Sequence, residues 1–181
     1  MHRNQFIGSD TSFFYINGGI ANVTDNYFGY SGFATKTRAA NTADTFEKRF
    51  EKATFPWESY SFTMAQTNGV FHFEFNNLEM PIYKAHIFER NTFEHIYCQR
   101  GCAYYVTGDK IQQFVFRQNY YKVLVSRIGA AVFYGDVNLK ASNSLAQVWI
   151  QTYQNEVFDR IWGGAIYLTG NNVPITFIFN S

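Results

Sequence analysis

The sequence predicts an all-β protein, an antiparallel sandwich or barrel, on three observations. Between Gly69 and Phe75, Phe71, Phe73 and Phe75 alternate with Val70, His72 and Glu74. Strand side chains point to opposite faces with a period of two, so three rings share one face. Aromatic residues make up 20% of the 181 residues, with 20 Phe and 13 Tyr, while Leu is scarce. Aromatic and β-branched residues suit a pleated, half-buried surface, whereas helices lean on Leu, Ala, Glu and Lys. Turn signals recur about every 8 to 12 residues, the spacing of short strands in a sandwich or barrel.

Taken in order, residues 1–27 read as an arm or attachment segment, with Gly18-Gly19 as a turn inside it. Residues 28–181 read as the main domain. Strands are expected over Tyr30–Thr37, Tyr60–Met64, Val70–Phe75, Ile82–Phe88 and Phe93–Tyr97. Others follow over Tyr104–Val106, Gln113–Phe116, Tyr120–Ser126, Ala131–Tyr134, Leu145–Thr152, Ile161–Leu168 and Ile175–Phe179. Asn68-Gly69, Gly108-Asp109 and Gly135-Asp136 carry turn chemistry. Residues 38–45 read as a loop, and Asp44–Lys52 is the one helix-compatible stretch, a short surface turn at most. No internal repeat is evident.

Charge bounds the partners. Lys and Arg number 15 against 14 acidic residues, a net charge of +1. The basic residues are scattered, and the densest group, Lys48, Arg49 and Lys52, is interleaved with Glu47 and Glu51. A phosphate-binding surface needs an unpaired basic patch, so no nucleic acid partner is expected. No stretch approaches the roughly 20 apolar residues of a membrane helix, so no membrane insertion is expected. The first ten residues lack the apolar run of a secretory signal. Asn22-Val23-Thr24 is a glycosylation triplet.

The order of the segments resembles the trimeric jelly-roll superfamily of the complement first-component globular head and tumour necrosis factor. Gly32-Phe33-Ala34-Thr35-Lys36-Thr37-Arg38 is similar to its opening strand, and Phe46-Glu47-Lys48 sits where it has F-D-K. Tyr60-Ser61-Phe62-Thr63 with Gly69 to Phe75 resembles its paired pattern F-T-A-P-x-x-G-x-Y-x-F-x-F. Ala141-Ser142-Asn143-Ser144, Val148-Trp149-Ile150-Gln151, and Phe158 with Gly163-Gly164-Ala165-Ile166-Tyr167 resemble its closing segments. The family's Pro before the G-V-Y strand is replaced by Gln66-Thr67-Asn68, and residues 89–118 have no counterpart.

The resemblance implies a jelly-roll β-sandwich that assembles as a homotrimer with aromatics around its threefold axis. Phe71, Phe73, Phe75, Trp149 and Tyr167 are then the interface candidates. Obligate interfaces resemble a domain core cut in half and would hide a surplus of rings.

Catalytic chemistry is not expected. No G-x-S-x-G elbow accompanies a His and an acid. The carboxylate pairs Glu74 with Glu79 and Glu89 with Glu94 have no separation set by sequence. No phosphate-cradling Gly loop and no cofactor motif is found. His95, Cys98 and Cys102, with His86 upstream, have a metal-like spacing but lack a fourth ligand, so no metal is expected. Cys98 and Cys102 suit either a disulfide or two buried thiols.

The expected role is a non-enzymatic structural and adhesion module, a homotrimer on a virus or phage particle. The arm would dock on another structural protein through Phe13, Phe14, Tyr15 and Ile16. Trp57, beside Pro56, is the candidate loop contact to a carbohydrate or protein receptor. The rival role is a secreted recognition protein binding carbohydrate or protein through its loops.

Overall fold

The computed structural model describes residues 1–7, 12–31, 69–75, 85–108, 113–138, 149–171 and 175–180. Among these residues all regular structure is strand. Fifteen strands fall into three five-stranded sheets, and each strand pairs with the one three places further along the chain. Sheet I holds β1 (Gln5–Ile7), β4 (Tyr27–Ser31), β7 (Thr92–Arg100), β10 (Tyr120–Ile128) and β13 (Val157–Trp162). Sheet II holds β2 (Phe14–Ile16), β5 (Phe71–Phe75), β8 (Tyr104–Gly108), β11 (Val132–Asn138) and β14 (Ile166–Asn171). Sheet III holds β3 (Asn22–Thr24), β6 (Ala85–Glu89), β9 (Gln113–Arg117), β12 (Trp149–Gln154) and β15 (Ile175–Asn180).

Every pairing between these strands is parallel. The chain therefore winds through sheets I, II and III in turn and begins again, making a five-coil parallel β-solenoid. The all-β class stands, but the antiparallel jelly-roll arrangement is replaced. Parallel neighbours need a long crossover, and here the other two strands of each coil supply it. An antiparallel sandwich would instead join neighbours by hairpins.

The inside of the solenoid is narrow, and identical positions of successive coils lie one strand spacing apart. Flat rings therefore stack. In sheet I, Phe6, Phe28, Phe93, Tyr121 and Phe158 form one column, with successive centroids 5.1, 5.0, 5.3 and 4.9 Å apart and planes within 19°. Sheet II contributes Phe14, Phe71 and Tyr104, at 5.0 and 5.7 Å. Sheet III contributes Phe88, Phe116, Tyr153 and Phe179, at 5.8, 4.9 and 5.2 Å. Each such ring pair is worth about 0.5–1.5 kcal/mol beyond the burial of its area. These columns are built within a single chain, and Phe28, Phe93, Tyr121, Phe71, Tyr104, Phe88, Phe116 and Tyr153 in them are buried.

An asparagine column runs beside the sheet I rings, at the corner between sheets III and I. Asn4, Asn26, Asn91 and Asn119 occupy it in four coils, and Glu156 takes the place in the fifth. Asn26, Asn91 and Asn119 are buried, at most 3% exposed. The backbone N and the Nδ2 of each asparagine both donate to the side-chain oxygen of the next coil. For Asn4 to Asn26 the distances are 3.0 and 3.2 Å, and for Asn91 to Asn119 they are 2.9 and 3.0 Å. The residue before each member, Arg3, Asp25, Arg90, Gln118 or Asn155, has φ between 52° and 56°. That left-handed kink turns the chain from one sheet into the next.

A second aligned bend lies within sheet I, at His95 (φ 53°), Val123 (φ 52°) and Arg160 (φ 54°). Beyond it Ile96, Leu124 and Ile161 return to the core side in register. At the corner between sheets I and II, Gly163 has φ 100°, and a Cβ there would lie 2.2 Å from Ser126 O. Only glycine fits that approach.

The first 27 residues do not form a separate arm. They supply β1, β2 and β3, which pair in register with β4, β5 and β6. Together they make the first coil of the same solenoid. The expected strand Ile161–Leu168 is two strands, β13 and β14, parted by the corner at Gly163 and Gly164. The expected strand Tyr60–Met64, the loop at 38–45 and the short turn at Asp44–Lys52 lie outside the described residues.

Candidate functional site

With the rings inside, function falls to what the outer faces present. Sheet II carries the one outward aromatic column among the described residues. Its register sets Tyr15 beside His72, His72 beside Tyr105, Tyr105 beside Phe133, and Phe133 beside Tyr167. Tyr15, His72, Tyr105 and Tyr167 alternate with inward Phe14, Ile16, Phe71, Phe73, Tyr104 and Ile166, so the pleat itself turns them outward. Four register steps separate Tyr15 from Tyr167, about 19 Å at the usual strand spacing. Tyr15 is 58% exposed and Tyr167 39%, whereas Tyr105 between them is 9% exposed.

The polar chemistry of this face is local. The His72 ring meets Tyr15 edge-on at 5.0 Å and Tyr105 edge-on at 4.9 Å. The Tyr15 hydroxyl donates to the Glu74 carboxylate. That hydrogen bond holds the Tyr15 phenol above its ordinary range, with some desolvation adding to it. Partial burial pushes His72 below the usual imidazole value, against the pull of Glu74. A neutral imidazole, a carboxylate and phenol rings therefore lie side by side on a stiff floor. Such a set offers stacking faces with both donors and acceptors, as sugar recognition requires.

The residues singled out from the sequence are redistributed. Phe71 and Phe73 are fully buried. They contact Phe14, Tyr104, Phe88 and Phe114 of the same chain, so they cannot line an interface between subunits. Tyr167 alone of the proposed interface set is shown on an outer face. Phe75 and Trp149 lie in β5 and β12, but their side chains are outside the described residues, as is the whole of Trp57. Of the attachment set, Phe14 and Ile16 face the core. Phe13 packs on Phe6 at 5.9 Å, and only Tyr15 points outward.

Cys98 and Cys102 are joined by a disulfide across the corner of the third coil, with Cα atoms 5.3 Å apart. Their sulfurs are therefore not available as zinc thiolates. His86 is buried, stacks on Phe114 at 4.7 Å and accepts the Ala21 N–H at 3.1 Å. Of the carboxylate pairs, Glu89 pairs with Arg90, and Glu94 pairs with Lys122 at 2.6 Å. Glu79 lies outside the described residues.

Sequence reasoning missed Tyr105 and His72 as a face, because registering them requires knowing that each strand pairs with the one three along. The missed signal is the recurrent x-Asn-x-aromatic motif: Arg3-Asn4-Gln5-Phe6, Asp25-Asn26-Tyr27-Phe28, Arg90-Asn91-Thr92-Phe93 and Gln118-Asn119-Tyr120-Tyr121, with Asn155-Glu156-Val157-Phe158 as its variant.

No family model matches the chain, and no curated protein or solved structure is similar to it at a level that shows a relationship.

Proposed function

We propose that the chain is a non-enzymatic structural and adhesion module, displayed on a particle surface, that holds carbohydrate against the outer face of sheet II. The observation that carries this reading is the outward column of Tyr15, His72, Tyr105 and Tyr167 with Glu74 beside it. Stacked coils make a stiff support on which such a column is presented without ordering cost at binding. The buried disulfide suits an oxidising setting outside the cytoplasm. A homotrimer is not required by this reading, since the Tyr15 column lies on a single chain.

A glycan array probed with the full chain tests it. Binding to a defined set of glycans, lost in Tyr15→Ala and Tyr167→Ala variants that melt like the parent, is the expected result. A folded protein that binds no glycan, or whose binding ignores both substitutions, removes the reading.

A further inference from the structure

We propose that a second site, the cleft beside the first turns of sheet I, binds a carboxylate-bearing sugar. This open cleft of about 330 Å³ is lined by Arg3, Gln5, Asp25, Tyr27, Arg90 and Thr92, together with the ladder residues Asn4 and Asn26. It lies on a different sheet from the Tyr15 column and does not depend on it.

Three features give the cleft its chemistry. The first is charge. Arg90 is committed: its Nε and Nη2 donate to Asp25 at 2.6 and 2.9 Å, and its Nη1 to Glu89. Asp25 is held below the usual carboxylate range, chiefly by that hydrogen bonding to Arg90. Asp25 also has His2 Nδ1 at 3.1 Å. Its oxygens are thus occupied, and it adds little repulsion toward an incoming anion. Arg3, in contrast, has no carboxylate within ion-pair distance among the described residues. It adds to the pull that lowers Asp25 through space, but its guanidinium donors are not taken up by an ion pair there. A planar fork of N–H donors matches a carboxylate with two parallel hydrogen bonds.

The second feature is a platform. Gly29 follows Tyr27 by two positions, so both lie on the outer face of β4. A Cβ at Gly29 would sit 2.7 to 2.9 Å from the Tyr27 Oη, Cε1 and Cζ atoms. The phenol therefore lies down over the glycine, and its hydroxyl reaches Glu94 at 3.3 Å. A ring leaning over a glycine on the outer face of a strand offers a contact surface for a pyranose, and the glycine and the Glu94 hydrogen bond hold it there before any ligand arrives. The third feature is neutral polarity: the Gln5 amide and the Thr92 hydroxyl flank the ring with donor and acceptor capacity for sugar hydroxyls. An inorganic anion would use the Arg3 charge alone and leave the ring and these groups unused.

The test is calorimetric titration of the full chain with glucuronate, glucose and inorganic phosphate, repeated on Arg3→Gln, Tyr27→Ala and Tyr15→Ala. The expected result is saturable glucuronate binding, weakened about tenfold in Arg3→Gln. Tyr27→Ala should weaken it severalfold, and glucose should bind far more weakly than glucuronate. Tyr15→Ala should leave it unchanged, which separates this cleft from the sheet II face. Arg3 is exposed, so Arg3→Gln should melt with the parent. No saturable glucuronate binding, binding indifferent to Arg3→Gln, or phosphate binding as tightly as glucuronate and displacing it would each overturn the proposal.

Discussion

Asn119 donates twice to one carboxylate oxygen of Glu156, from its backbone N at 3.0 Å and from its Nδ2 at 3.1 Å. In every earlier coil the corresponding acceptor belongs to an amide, which in turn donates onward. Glu156 belongs to the last of the five coils, so the polar column ends there, and its oxygen accepts both Asn119 donors whether or not the carboxyl carries a proton.

That ending carries a pH dependence. Burial raises the Glu156 carboxyl to about 7 from 4.5, against the lowering effect of the Asn119 hydrogen bonds. The folded chain therefore holds a proton that the unfolded chain releases between those values. This contribution is complete below the unfolded value and is lost as pH rises through the folded one, at a cost on the order of 3 kcal/mol. Glu156→Gln keeps the acceptor and removes the charge. It should raise the melting temperature at pH 8 and flatten the decline from pH 5 to pH 8. An unchanged slope in the variant would show that Glu156 is not the titrating group.

The interior of the column makes a sharper demand on Asn91. Its Oδ1 accepts from Asn26 N at 3.0 Å and Asn26 Nδ2 at 3.2 Å, while its own Nδ2 donates to Val23 O at 2.9 Å. Asn91→Ala strands a buried N–H and deprives Val23 O of that donor. Each orphaned group costs about 1–3 kcal/mol, so urea denaturation should show a loss of about 2–6 kcal/mol. Asn4→Ala, at the exposed end, should cost much less. Equal losses at the two positions would contradict the burial argument.

How much of this was legible beforehand depends on the physical signal. The alternation of Phe71 and Phe73 with His72 and Glu74 was readable, because a strand has the same period whether its neighbours are parallel or antiparallel. The direction of pairing was not, because it depends on which strands meet. The asparagine motif could have revealed it, but its spacings of 22, 65, 28 and 37 residues differ too much to register as a repeat. Insertions between strands change the length of a coil without moving its corner. The aligned bends at His95, Val123 and Arg160 also interrupt the period of two within the longest strands. Tyr15 could be named as a contact residue from composition, whereas its partner Glu74, 59 residues away, could not.

Phe71 separates a core role from an interface role. It is fully buried within one chain and stacks between Phe14 and Tyr104. Phe71→Ala should cost about 3–5 kcal/mol, with a melting midpoint that does not move with protein concentration. Tyr167→Ala, on the exposed face, should stay within about 0.5 kcal/mol of the parent. Light scattering that finds a trimer dissociating to monomers in Phe71→Ala would restore the interface role.

The disulfide tests the corner of the third coil. Cys98 lies in β7 and Cys102 just before β8, and both are fully buried. A bridge spanning four positions closes a small loop, and small loops constrain the unfolded chain least. Loop entropy then gives about 2 kcal/mol for the bond. The double variant Cys98→Ala with Cys102→Ala should fold, with stability lowered by that amount. In the parent, dithiothreitol should reduce the bond at the rate of local or global opening, because no reductant reaches a buried sulfur in the closed state. Prompt reduction under native conditions, with no change in melting temperature, would mean that the corner is open and that the bond contributes nothing to the coil.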